Sequence, residues 1–305
     1  MAGIFILLVA LVVVLGGAGI YASNYVAHYR NRRDPDRWLD NLQYYQDCER
    51  LDVEITSCGM RIVGEYLPCP HNAQSGKVAV LVHGVTATRR TVSDYIPLFH
   101  QCGYQVLIYD QPGHGKSEGT LCSYGFYERR VLLDWMGHLE KHYAMRSFGL
   151  WGISMGAATV LRAAPDCWPV FVIADCSFDS FLAQFENQLR SFSVFPKRFA
   201  HGFACYVSWL NRLLRGWSFQ DCAPIRSIDS IKAPVLFIHG TKDGFVRKEM
   251  SMRMFDRRQE QGLPTQLAFF EAGHAASFYS DKPHYCEVVT RFVGDCEKSS
   301  NQPAS

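Results

Sequence analysis

Leu150-Trp151-Gly152-Ile153-Ser154-Met155-Gly156 is the stretch on which the reading of this chain turns. It sets Gly-x-Ser-x-Gly directly after the apolar run Ser147 to Leu150 and directly before the small residues Ala157-Ala158-Thr159-Val160. Strand, tight turn and helix in that order hold a serine hydroxyl up at the sharpest point of the chain. A serine there has strained backbone angles, and a side chain at either flanking position would strike the adjoining strand or helix, which is why both are glycine. The five-residue pattern also arises by chance, so its weight depends on a base and an acid elsewhere.

A serine that attacks acyl carbon needs a base for its proton and an acid to orient that base. On a strand-turn-helix serine the chain order is Ser, then Asp or Glu, then His. Asp243 follows the run Val235–His239 in Gly240-Thr241-Lys242-Asp243-Gly244, and His274 follows Gln266–Phe270 in Glu271-Ala272-Gly273-His274. Each sits on a loop after its own strand, in the required order. Ser154, Asp243 and His274 are therefore the candidate catalytic residues. Asp175, at the end of the preceding strand, is the competing acid, whereas Glu271 is too close in sequence to His274. Asp110 reads as a carboxylate tying its own turn through backbone amides. The developing oxyanion needs two N–H donors. Met155, next after the serine, is one candidate, and Val85, in His83-Gly84-Val85-Thr86, is the other, ahead of Thr86. His83 and His114 are expected to be structural props.

Organisation around these residues is regular. Segments beginning at Asp52 and Met60 alternate like an antiparallel edge hairpin. Short unalternating apolar runs follow at Val78–Val82, Val106–Tyr109, Phe148–Leu150, Val170–Ala174, Val235–His239 and Gln266–Phe270. Such runs suit parallel strands buried on both faces, and helix-length segments such as Tyr124–Tyr143 and Lys248–Gln261 separate them. The pattern predicts an α/β fold with a doubly wound, mostly parallel sheet over residues 51–296. Between Asp175 and Pro234 lies an aromatic-rich insertion, read as a helical cap over about 177–231. The tail 297–305 is expected to be disordered.

Residues 1–22 read differently. From Gly3 to Ala22 no side chain is charged, and about 20 apolar residues suffice to cross a bilayer core. Only Met1 and Ala2 precede the run, with no basic residue, which favours a retained anchor over a cleaved signal peptide. Arg30, Arg32 and Arg33 follow it, so a single-pass span would leave the C-terminal domain in the cytosol. Residues 23–50 are expected to be a juxtamembrane helix or linker. Eleven cysteines include no Cys-x-x-Cys or zinc spacing, so free thiols and no metal are expected. Lys and Arg total 31 against 29 Asp and Glu, a net +2 that indicates no nucleic-acid partner.

Taken together, His83-Gly84, Asp110-x-Pro-Gly-His-Gly-x-Ser117, Gly152-x-Ser154-x-Gly156, His239-Gly-x-x-Asp243 and Gly273-His274 resemble the α/β-hydrolase superfamily over roughly residues 50–295. With the apolar N-terminus, the layout is similar to membrane-tethered serine hydrolases of the Bem46-like and ABHD type. The resemblance implies a cofactor-free acyl-enzyme mechanism acting on esters, thioesters or lipids. The His-Gly loop lacks the Gly-Gly extension of many lipases, which implies poor turnover of bulky tertiary esters. An acyl-ester or thioester hydrolase acting on a lipid-like substrate at a membrane is therefore the expected activity. A serine peptidase and a non-catalytic binding protein on the same fold are the alternatives.

Overall fold

The structure, a computed structural model, describes residues 16–27, 39–191 and 196–300. Eight strands make one sheet in the order β1-β2-β4-β3-β5-β6-β7-β8. They are β1 (Leu51–Ser57), β2 (Met60–Leu67), β3 (Lys77–Val82), β4 (Gln105–Tyr109), β5 (Ser147–Ile153), β6 (Phe171–Asp175), β7 (Val235–Gly240) and β8 (Thr265–Phe270). The β1–β2 and β2–β4 pairs are antiparallel, and every other neighbouring pair is parallel. The expected hairpin and all six expected apolar runs are thus strands of this sheet, and an α/β-hydrolase fold is what they build.

Side-chain alternation on the central strands feeds two cores. Along β5, Trp151 and Ile153 join Tyr95, Phe99 and Phe171 on one face, while Phe148 and Leu150 join Val80, Trp135 and Phe237 on the other. Helices α3 (Ile96–Gln101) and α10 (Lys282–Ser300) cover the first face; α4 (Phe126–His142), α5 (Met155–Cys167) and α8 (Glu249–Glu260) cover the second. Helix α4 begins two residues later than its apolar pattern indicates. Gly125, at φ 106°, precedes its first turn, and Glu128 reaches back to accept from the Gly125 and Ser123 amides at 2.9 and 2.8 Å.

The insertion between β6 and β7 contains α6 (Phe181–Ser191), α7 (Ala200–Arg215) and short 3₁₀ turns. Phe178, Phe181, Trp217 and Phe219 pack with Met155 and Val246 into a third apolar cluster that joins this layer to the nucleophile end of the sheet.

The structure bears on three N- and C-terminal expectations. Residues 39–50 include a short helix packed on the domain: the Asp40 and Asn41 amides donate to Asp94 at 3.0 and 2.7 Å. Helix α2 (Leu42–Asp47) then buries Tyr45, whose hydroxyl donates to Glu65 at 2.6 Å. Secondly, α10 continues through residue 300 instead of ending at the expected tail, because the Lys77 ammonium pairs with Glu297 at 2.7 Å and Cys296 is buried. Residues 301–305 lie outside the described residues. Lastly, no helix among the described residues is long and apolar enough to cross a membrane. Residues 1–15 of the expected span lie outside the described residues, and 16–27 form helix α1, which lies against α7.

Candidate active site

Ser154 stands between β5 and α5 with φ 56° and ψ −118°, a conformation rare for any residue with a Cβ. The close approach that makes the turn possible requires both glycines. A Cβ on Gly152 would lie 2.3 Å from the Gly156 carbonyl oxygen, and one on Gly156 would lie 2.0 Å from that of Val82. The Ser154 amide donates to the Asp175 carbonyl at 2.8 Å, pinning the elbow to the end of β6.

Asp243 and His274 arrive from the loops after β7 and β8. His274 Nδ1 lies 2.7 Å from Asp243 Oδ2, and its Nε2 lies 2.9 Å from Ser154 Oγ. A carboxylate can only accept, so the Nδ1 proton faces Asp243 and the Nε2 lone pair faces the serine hydroxyl. Asp243 is itself held. Its Oδ1 accepts from the Phe245 and Val246 amides at 2.9 and 2.8 Å, and His239 Nε2 lies 3.3 Å from Oδ2. Burial alone pushes this carboxyl up, but hydrogen bonds from His239 and His274 outweigh it and hold it well below the usual carboxylate range.

The competing acids are engaged elsewhere. Asp175 accepts from the Tyr285 hydroxyl at 3.0 Å, and that oxygen accepts from Trp151 Nε1 at 3.1 Å. Burial pushes the Asp175 carboxyl up to about 6. Glu271 pairs with Lys242 at 2.6 Å on the surface. Asp110 accepts from the Arg89 and Lys116 amides, both at 2.8 Å, and pairs with the Arg89 guanidinium, which also holds Glu65 at 2.8 Å. His83 donates from Nδ1 to the Gly84 carbonyl at 2.7 Å and accepts the Gln111 amide on Nε2 at 2.9 Å. Burial, reinforced by the neighbouring His114, lowers its pKa well below the usual histidine value, so it stays neutral. His114 Nδ1 faces the Pro112 carbonyl at 2.9 Å.

Cys176, Asp243 and His274 each bring one potential ligand atom within 4.8 Å of the others. Burial raises the Cys176 thiol well above its usual value, and metals bind the thiolate. The other two are committed to one another, so this set suits a proton relay better than a cation.

Ser154 lies where two cavities meet. One, of about 380 Å³, is walled by apolar side chains including Met155, Phe178, Phe181, Phe185 and Val246. The other, of about 390 Å³, is walled by Thr86, Thr91, Tyr95, His274 and Tyr279. Val85 borders both cavities with Ser154, and Met155 borders the first. Two contributors had escaped the sequence reading as site residues. His239 braces the acid, and only its spacing of four from Asp243 signals it. Phe245, whose ring centroid lies 4.9 Å from that of His274, leaves no signal in the pattern.

Against known proteins, the fold has ample company. The Bacillus subtilis (strain 168) protein YqkD, described as uncharacterized, is 29% identical over 303 residues, covering 95% of this chain and 97% of its own. The Pyrococcus furiosus esterase Pf2001 superposes with a TM-score of 0.68 at 22% identity, over 88% of this chain and 98% of the esterase. Pyrococcus horikoshii acylaminoacyl peptidase superposes at 0.61 and 16% identity, over 84% of this chain but 43% of the larger peptidase. The family model described as "Alpha/beta hydrolase family" matches residues 79–286, more than half of the sequence. This chain belongs to the alpha/beta hydrolase family.

Proposed function

We propose that the chain is a membrane-associated serine hydrolase that cleaves acyl ester or thioester bonds of lipid-like substrates through an acyl-enzyme. The observation that carries the reading is the relay Ser154–His274–Asp243, at 2.9 and 2.7 Å, opening where two cavities meet. Ser154 Oγ attacks the acyl carbon as its proton passes to His274 Nε2, and Asp243 stabilises the imidazolium. The Val85 and Met155 amides receive the oxyanion. When the bond to the alcohol or thiol breaks, His274 returns its proton to the leaving atom. Water, deprotonated by the same imidazole, then attacks the acyl carbon and releases the acid and the serine.

His274 has to touch the leaving atom, so the cavity it borders takes the alcohol or thiol. The acyl chain then occupies the apolar cavity on the other side, whose aromatic walls match a hydrocarbon. An esterase among the structural relatives supports the ester-cleaving reading. Membrane association is supported by the uncharged run from Gly3 to Ala22 and by Trp209, Leu213 and Leu214 standing exposed on α7. The eleven cysteines are all free thiols, and Arg30, Arg32 and Arg33 follow the run, both of which suit a catalytic domain on the cytosolic side.

Labelling of the purified protein with a fluorophosphonate, wild type against Ser154→Ala and His274→Ala, tests the chemistry. Labelling is expected in the wild type alone. A folded wild type that does not react would return the fold to a binding role. Membrane fractions washed with carbonate test the attachment: the chain is expected in the pellet, and release into the wash would remove the anchor.

A further inference from the structure

Helix α1 docks on the domain through specific contacts rather than as a generic apolar rod. Gly19 sits so close to α7 that a Cβ there would lie 2.5 Å from the Tyr206 ring and 2.6 Å from the Leu210 side chain. One turn on, the buried Ser23 hydroxyl donates to Asn211 at 3.2 Å and receives Arg215 at 2.5 Å, while Arg215 also donates to Asn24. The Tyr124 hydroxyl donates to the Val26 carbonyl at 3.1 Å, and the Cys122 amide donates to that of Ala27 at 2.9 Å.

With Gly19 and Ser23 turned to α7, helical spacing turns Ala22 and Val26 to a neighbouring face. That face walls the apolar cavity that reaches Ser154, together with Phe181, Phe185 and Leu189 of α6. Tyr21 and Tyr25 stand at its rim, well exposed, with ring centroids 6.4 Å apart. The cavity therefore has one wall built by a segment some 130 residues before the serine in the sequence. That same segment continues from the uncharged run beginning at Gly3.

We infer that α1 is the outer wall of the acyl site: it makes Ala22 and Val26 determinants of acyl-chain length, and it joins the cavity mouth at Tyr21 and Tyr25 to the apolar N-terminal run. The inference rests on the serine-hydrolase reading above. Physically, an acyl chain drawn from a lipid layer into this cavity exchanges one apolar surrounding for another and crosses little water. Selectivity for its length then depends on how far the cavity remains open past Ala22, where small volume changes in a hydrophobic pocket discriminate by about tenfold or more.

A hexadecyl fluorophosphonate carrying a diazirine on its terminal carbon tests this on the full-length protein in detergent. After reaction at Ser154 and photolysis, peptide mapping is expected to find crosslinks within residues 16–27 and on α6. Crosslinks confined to the Thr86–Tyr95 segment and Tyr279, the walls of the second cavity, would overturn the inference while leaving the serine chemistry intact. A wild type that the probe does not label would instead fail the underlying reading. As a second measurement, Ala22→Trp is expected to lower the ratio of p-nitrophenyl palmitate to p-nitrophenyl butyrate hydrolysis by about tenfold or more. A ratio equal to that of the wild type would refute the assignment of Ala22.

Discussion

Replacing Asp243 by Asn tests the relay most severely, because the surroundings dictate how the new amide must sit. Oδ1 of Asp243 accepts two backbone amides, from Phe245 and Val246, at 2.9 and 2.8 Å. An Asn placed with its NH₂ there would confront two donors with a donor and strand both, at roughly 2 to 6 kcal/mol for two buried N–H groups. Its carbonyl oxygen therefore takes the Oδ1 position, and its NH₂ takes the Oδ2 position, 2.7 Å from His274 Nδ1. His274 can accept that proton only by moving its own to Nε2, which then points an N–H at Ser154 Oγ. The serine loses its base through a change of tautomer, with its geometry unaltered. The loss expected from a wrong tautomer is about 10⁴-fold in kcat/KM, or roughly 5 kcal/mol of transition-state stabilisation. Initial rates on p-nitrophenyl butyrate, with circular dichroism as a check on folding, measure it. A folded variant retaining more than about a tenth of wild-type kcat/KM would refute the argument, and orientation of His274 by Asp175 would then be the explanation to pursue.

Asp175 makes a separate prediction through pH. Its buried carboxyl is pushed up to about 6, against about 4 in the unfolded chain. Between those values the folded state keeps a proton that the unfolded state has released, so this group lowers stability as pH rises through the window. Asp175→Asn does not titrate, and its stability relative to wild type is expected to climb by about 2 kcal/mol between about pH 4 and pH 8. Urea unfolding at the two pH values measures this, and a difference that stays level would show that the carboxyl is not perturbed. For Gly156→Ala, a methyl 2.0 Å from the Val82 carbonyl oxygen has no flexible side chain to displace. Roughly 3 kcal/mol of stability, about six degrees in Tm, should be lost, and an unchanged Tm in calorimetry would contradict so tight a turn.

The central strands were legible because each must be apolar on both faces to lie between two helical layers, and that requirement is written in residue type alone. The same holds for the nucleophile turn, where backbone approach admits only glycine at 152 and 156, and for the order of Ser154, Asp243 and His274 along the chain. Residue order favoured Asp243 over Asp175, but residue type alone could not commit the acid, since both lie at or just past the ends of neighbouring strands. That choice falls to the two amides that orient Asp243 and to Tyr285, which occupies Asp175. Nor could residue type show what the apolar segment before Ala22 would touch. Hydropathy records that a side chain leaves water, and a bilayer or another helix satisfies it equally well. Gly19 against Leu210, and Ser23 against Asn211, are contacts across 191 and 188 positions of chain. Only folding brings such partners together, because specific contact depends on position in space, whereas the drive to leave water does not.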